Sequence, residues 1–193
     1  MSKPDSKIKT LVILIFIISN STLAQSVKCH IKPDGQQKSE YLIGEKIKFN
    51  ITVDTQGKEI SGFQFFLTIN PKFLKPIFKD NKPFTRGNMI NNNSPLVNNT
   101  HNDEWGKSDM ENGIPGFQLD FVHLTPPGLD GDRPTISGQG IGASIEFEIV
   151  GIPEDDDNTI EIDFDDDWYN GRDTKYFTPD RGKDFSVLSS YKF

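Results

Sequence analysis

Apolar residues recur at every second position in six segments of this 193-residue chain, and this period constrains its fold more than any other feature. The alternation covers residues 27–31, 47–53, 63–69, 117–121, 141–149 and 160–164, and Phe185 and Val187 begin a further short run. A period of two places alternate side chains on opposite faces of a β-strand. Beyond residue 24 no segment has the spacing of an amphipathic helix. Short alternating strands separated by turn signals such as Gln56-Gly57 predict an all-β sandwich or barrel.

The first 24 residues have a different character from the rest of the chain. Lys3, Lys7 and Lys9 precede the apolar run LVILIFII, and the small residue Ala24 ends the segment. A basic start, a short apolar run and a small residue before a cleavage site are typical of a secretory signal peptide. We therefore predict a signal peptide at residues 1–24 and a single extracellular domain at residues 25–193. The alternative is an uncleaved anchor, although the run is short for a membrane span.

Charge excludes two classes of partner. The formal net charge is −7, and removal of residues 1–24 takes away three lysines and one aspartate, which leaves −9. Nucleic-acid binding requires a basic surface, and an acidic domain is not attracted to anionic membranes. Cys29 is the only cysteine, so an intrachain disulfide is impossible. Its alternation with Val27 and Ile31 predicts a small buried residue.

The segment from residue 79 to 116 interrupts the alternation. It is rich in Asn and Lys, with NNNSPLVNNT at its centre. This composition predicts a long loop, because such a connection carries no strand signal of its own. Met89-Ile90 and Trp105 are the candidates to anchor it, and Met89-Ile90 could also form a short edge strand.

The order of the motifs resembles the cohesin modules of cellulosome scaffold proteins. The corresponding pieces are ISGFQFFLTINPKFL at 60–74, RGNMI at 86–90, GFQLDFVHL at 116–124, GIGASIEFEIVG at 140–151 and TIEIDF at 159–164. Asn70 stands where the family has Asp before Pro. The resemblance covers residues 27–187 and implies a nine-stranded jelly-roll β-sandwich. It also implies a non-catalytic function without a cofactor of its own, namely binding a dockerin, a small module that carries the calcium of the pair.

Phe66 marks the candidate binding site, because its strand face is otherwise polar. The outward residues of the three strands that resemble the family's binding sheet are Gln64, Phe66, Thr68, Gln118, Asp120, Val122, Glu161 and Asp163. They predict a partner-binding surface in which Phe66 and Val122 form an apolar centre with a polar rim. The alternative is that the Asn-rich segment covers Phe66, or that one exposed Phe has no role.

Other functions have weaker support in the sequence. The acidic runs 154–157 and 163–167 lack an EF-hand pattern: counted from Asp163, the sixth residue is Trp168 and the twelfth is Thr174. We predict solvated acidic turns and no metal site, with an irregular calcium site as the alternative. A carbohydrate-binding module of similar shape, acting on cell-wall polysaccharide, is the alternative function. Its candidate stacking residues, which could equally pack in the core, are Trp105, Trp168, Tyr169, Tyr176 and Phe177.

Catalysis is not predicted. Glycoside hydrolysis requires two carboxyl groups placed across a bond, and the sequence places no such pair. His30, His101 and His123 are not spaced as metal ligands.

Overall fold

The computed structural model describes residues 26–38, 40–89, 96–102, 117–125, 134–154, 159–164 and 173–193. These residues form thirteen strands and no helix: β1 Lys28–Pro33, β2 Lys46–Asp54, β3 Gly62–Ile69, β4 Leu74–Pro76, β5 Phe84–Arg86, β6 Leu96–Asn102, β7 Phe117–Leu124, β8 Gln139–Ile149, β9 Glu161–Phe164, β10 Lys175–Phe177, β11 Gly182–Asp184, β12 Val187–Ser189 and β13 Tyr191–Lys192. The predicted signal peptide at 1–24 lies outside the described residues. Within them, no helix has the length and apolar character to cross a membrane.

The strands form two sheets. The first sheet has the order β12-β1-β2-β8-β4, and β5 also pairs with β8. The second sheet has the order β11-β10-β3-β7-β6, with β9 also paired with β3 and β13 paired with β9. The predicted all-β sandwich is confirmed. The number of strands differs from the nine expected, because segments of two or three residues such as β4 and β13 pair along longer strands.

The core lies between the inner faces of the sheets and is rich in aromatic rings. Phe63 and Phe65 of β3 stack at 4.9 Å, and Phe65 stacks on Phe121 of β7 at 5.9 Å. Gly142 of β8 lies against this stack: a Cβ atom there would be 2.9 Å from the Phe65 ring. The alternation predicted the inward residues, and each fully buried Phe contributes about 1.5–3 kcal/mol to stability. Cys29 is also fully buried, as predicted, and burial raises the pKa of its thiol.

The Asn-rich segment contains two strands, so the expectation of one long loop from 79 to 116 was wrong. β5 pairs with β8, and β6 pairs with β7 from Leu96 opposite His123 to Asn102 opposite Phe117. The hydrogen bonds between paired strands come from backbone groups, so a strand at the edge of a sheet can form without an alternating apolar pattern. Met89 anchors the segment as predicted: it packs against the core, and its N–H donates to the Ile141 carbonyl at 3.1 Å.

Candidate functional site

Strand pairing brings the predicted site residues onto one face of the second sheet. β3 pairs with β7, which places Gln64 opposite Val122, Phe66 opposite Asp120 and Thr68 opposite Gln118. On the other edge of β3, Thr68 lies opposite Asp163 of β9, and Glu161 is two residues earlier on the same side of that strand. We call this surface the β3–β7–β9 face; it comprises Gln64, Phe66, Thr68, Gln118, Asp120, Val122, Glu161 and Asp163. The side chain of Gln118 lies outside the described part of the structure.

The predicted exposure of Phe66 was wrong. Its side chain is only 4% exposed, and Asp120 opposite it is 6% exposed. Alternation assigned both residues to the correct face, but it could not indicate that this part of the face is covered. Gln64, Thr68 and Val122 are half-buried, whereas Glu161 and Asp163 are exposed. The accessible surface is therefore mainly polar and acidic, with Val122 as its remaining apolar member.

Thr174 completes the edge of β3 beside Phe66. β10 pairs with residues 62–64 and β9 with residues 67–69, so the backbone of Phe66 faces a gap between these strands. The buried Thr174 hydroxyl accepts a hydrogen bond from the Phe66 N–H at 3.0 Å and donates to the Phe66 carbonyl at 3.2 Å. Buried backbone groups need such partners. Sequence analysis missed this residue, because a Thr before a short strand has no distinguishing pattern.

Ion pairs border the β3–β7–β9 face. Lys175 lies 2.8 Å from Asp173 and 3.8 Å from Asp184, and the hydrogen bond to Asp173 is the main reason that its pKa is raised. The side-chain amide of Gln64 donates to the Asp173 carbonyl at 2.5 Å. These contacts connect β3 to the start of β10. None of the three charged residues was predicted, since spacing along the chain does not reveal pairing between distant strands.

A second ion pair lies at the other end of the face. Lys192 of β13 is 3.2 Å from Glu161 of β9. The hydroxyl of Ser190 donates to the carboxylate of Asp163, which has no ion-pair partner among the described residues. Exposed pairs of this kind contribute less than about 1 kcal/mol to stability. Among the described residues of the face, Asp163 is therefore an exposed carboxylate without a neighbouring cation.

The structure also locates some residues considered for other functions. Among the described residues, no group of His, Cys, Asp or Glu side chains could hold a metal ion. Tyr176 is buried, and its ring lies 5.5 Å from that of Phe185, so it packs in the core rather than on a sugar-binding surface. Phe177 is half-buried. Trp105, Trp168 and Tyr169 lie outside the described residues, as do Asp165, Asp166 and Asp167.

The structure shows the contacts of two histidines, His30 and His123. His30 Nδ1 lies 2.9 Å from the Ser189 hydroxyl. His123 is fully buried on the core face of β7, where its ring lies edge to face with the rings of Phe63 and Phe121. Burial, with a smaller effect of the positive charge on Arg86, lowers the pKa of His123 to about 4. His123 is therefore neutral at physiological pH.

Comparison with solved structures identifies the architecture. A type II cohesin domain from the cellulosome of Acetivibrio cellulolyticus matches 87% of this chain and 95% of its own length, with a TM-score of 0.58 and 19% identity. The chain has the cohesin fold. No protein-family model matches the sequence, and neither does any curated protein.

Two further solved structures with the cohesin fold were determined as complexes. One is a type II cohesin–X-dockerin complex from Acetivibrio cellulolyticus, with a TM-score of 0.55, 13% identity and coverage of 87% of this chain and 98% of that chain. The other is a type I cohesin–dockerin complex from Clostridium thermocellum, with a TM-score of 0.52, 15% identity and coverage of 86% and 96%. The fold expected from the order of the sequence motifs is thus confirmed over nearly the whole chain.

Proposed function

We propose that this chain is a secreted, non-catalytic binding module that docks a dockerin-type partner on the β3–β7–β9 face. The observation that carries the proposal is the cohesin fold, shared over most of the chain with proteins solved in cohesin–dockerin complexes. The register adds support, since residues selected from three separate strands lie on one outward face. Secretion is supported by the signal-like composition of residues 1–24.

The exposed groups define the chemistry of the proposed contact. Phe66 and Asp120 are buried, so direct contacts fall to the carboxylates of Glu161 and Asp163 and to the half-buried side chains around them. Such a face suits a partner that presents hydrogen-bond donors and positive charge, because complementary charge steers association and sets specificity. The module needs no cofactor in this proposal, and the calcium of the pair is carried by the dockerin.

A pull-down tests the function. The purified chain is immobilised and exposed to the secreted proteins of the source organism, with and without a calcium chelator. We expect calcium-dependent enrichment of dockerin-bearing proteins. Retention of the chain on insoluble polysaccharide, with no dockerin-bearing protein captured, would instead support a carbohydrate-binding module and contradict the proposal.

A matched pair of variants tests the location of the site. Asp163→Lys reverses an exposed charge on the β3–β7–β9 face, and Glu148→Lys reverses a half-buried charge on the outer side of β8 in the first sheet. We expect Asp163→Lys to weaken binding of the captured partner about tenfold, with the largest effect on the association rate at low salt. Glu148→Lys should bind like the unmodified chain. Equal affinities for the two variants would remove Asp163 from the interface.

A further inference from the structure

Exposed apolar side chains gather at one end of the sandwich. Leu42 and Ile43, in the connection between β1 and β2, are 67% and 60% exposed, and Ile152, after β8, is 48% exposed. With Val150, these are four of the six large hydrophobic residues that are exposed in the described part of the chain. Scattered exposed apolar residues are ordinary, whereas a contiguous patch marks an interaction site.

Backbone hydrogen bonds join the two connections into one surface. The Gly44 N–H donates to the Ile149 carbonyl at 2.8 Å, and the Ile149 N–H donates to the Glu45 carbonyl at 2.9 Å. Tyr41 extends this surface to Phe193, since their rings meet edge to face at 5.2 Å. We call this surface the apolar end; it comprises Tyr41, Leu42, Ile43, Val150, Ile152 and Phe193. Held by the ends of β2 and β8, it is part of the rigid sandwich.

The apolar end contains a hollow. Its volume is about 330 Å³, and its walls come mainly from Tyr41, Ile149, Ile152, Ile160 and Phe193. Hydrogen bonds in both directions between Ile160 and Phe193, at 2.8 and 3.1 Å, hold one wall in place. A hollow of this size is at the lower limit of small-ligand sites. It can accept apolar side chains that project from a docked segment.

The charges at this end are mainly negative. Glu40 lines the hollow, Glu154 is exposed beside Pro153, and the sequence continues with Asp155, Asp156 and Asp157. Two nearby cations are compensated: Lys38 pairs with Glu45 at 2.8 Å and Lys192 with Glu161 at 3.2 Å. Lys46 and Lys75 lie opposite Glu148 on the two neighbouring strands, and Lys72, whose backbone lies against Gly151, contributes a further positive charge. An apolar surface with an acidic rim is complementary to a segment that carries both apolar and basic side chains.

We propose that the apolar end is a second docking surface, which binds a basic amphipathic segment of another protein. Apolar side chains of that segment enter the hollow, and its Lys or Arg side chains meet Glu40 and Glu154. A second copy of this chain is disfavoured as occupant, because the two acidic rims would face each other. The surface shares no residue with the β3–β7–β9 face, so the proposal does not depend on dockerin binding.

Synthetic peptides provide the test. The probes are a 14-residue Leu/Lys peptide with leucines at helical spacing, a Leu/Glu peptide with the same leucine pattern, and a Lys/Ser peptide with the charge of the first. Titration calorimetry on the mature chain should show binding of the Leu/Lys peptide, no binding of the Leu/Glu peptide and at least tenfold weaker binding of the Lys/Ser peptide. Amide shift changes in nuclear magnetic resonance spectra should centre on residues 40–45 and 149–154.

Charged variants locate the binding surface. The double variant Leu42→Asp, Ile152→Asp should bind the Leu/Lys peptide at least tenfold more weakly. Phe78→Asp places a charge at an exposed apolar residue elsewhere and should bind normally; unchanged melting temperatures establish that all variants are folded. Equal affinity for the double variant and Phe78→Asp, or equal affinity for the Leu/Lys and Lys/Ser peptides, would overturn the proposal. A dimer in analytical ultracentrifugation that Leu42→Asp dissociates would also overturn it, by assigning the surface to a second copy.

Discussion

His123 makes the stability of the domain depend on pH in a way that can be calculated. In the fold its pKa is about 4, below its ordinary value of 6.5, because the ring is fully buried and Arg86 is nearby. Neither ring nitrogen has a hydrogen-bond partner among the described residues. Protonation in the folded state would therefore place an uncompensated charge beside the rings of Phe63 and Phe121.

The direction of the pH dependence of stability follows from proton binding in the folded and unfolded states. Between pH 6.5 and 4 the unfolded chain takes up a proton at His123 that the folded chain does not, so acidification favours unfolding in this window. Each pKa unit corresponds to about 1.4 kcal/mol, and the difference between 6.5 and 4 thus corresponds to about 3 kcal/mol. Roughly 2 kcal/mol of this is lost between pH 7.5 and pH 5. The full loss is reached below pH 4.

Urea denaturation at a series of pH values measures this loss. The chain also has 28 carboxylate side chains that contribute at low pH, so the test is a comparison with His123→Phe. That variant lacks the titrating group, and any packing cost of the larger ring is the same at each pH. We expect the loss of unfolding free energy from pH 7.5 to 5 to be about 2 kcal/mol smaller in His123→Phe. A His30→Gln control should keep the steep loss, and parallel curves for His123→Phe and the unmodified chain would refute the reasoning.

Three substitutions test the packing around the candidate site and β5. Phe66→Ala should lower the unfolding free energy by about 3–5 kcal/mol, as for a buried Phe; a loss below about 1 kcal/mol in thermal denaturation would place Phe66 at the surface. Thr174→Val should lower the unfolding free energy by about 1–3 kcal/mol in urea denaturation, because it leaves the Phe66 backbone groups unpaired. Thr178→Val removes a less buried hydroxyl and should change the urea midpoint little. Gly87→Ala would place a Cβ 1.9 Å from the Ile141 carbonyl oxygen, so β5 must move and about 1–3 kcal/mol should be lost; unchanged amide exchange in β5 would contradict this.

Much of the fold was predictable, because the alternation of apolar and polar residues in the core strands indicates which side chains are buried. In β2, Phe49 and Ile51 alternate with polar residues and are both fully buried. The same period in β8 predicted which of its faces is buried. Some of the edge strands were not predictable. β6 and β13 are held by backbone bonds to β7 and β9, and their own side chains carry no periodic signal.

The sequence predicted the face on which the candidate site residues lie, but not which of them are exposed to solvent. Parity assigned Gln64 and Val122 to the outward faces of their strands, the resemblance to cohesins implied that both strands share a sheet, and the register places the two residues opposite each other. Parity does not indicate what covers a face, which is why Phe66 was taken as exposed. Thr174 contacts Phe66 across 108 positions of sequence. A contact between residues so far apart leaves no pattern in either segment.

The parallel pairing of β1 with β12 has a consequence for biosynthesis. His30 lies opposite Ser189, 159 residues later, so this edge of the first sheet stays open until the ribosome has made residue 189. Contacts between such distant residues also make folding slow. We therefore expect the first sheet to be completed only after β12 has been synthesised. We expect a chain ended after Asp184 to stay sensitive to protease, and protection of that fragment would contradict this order of events.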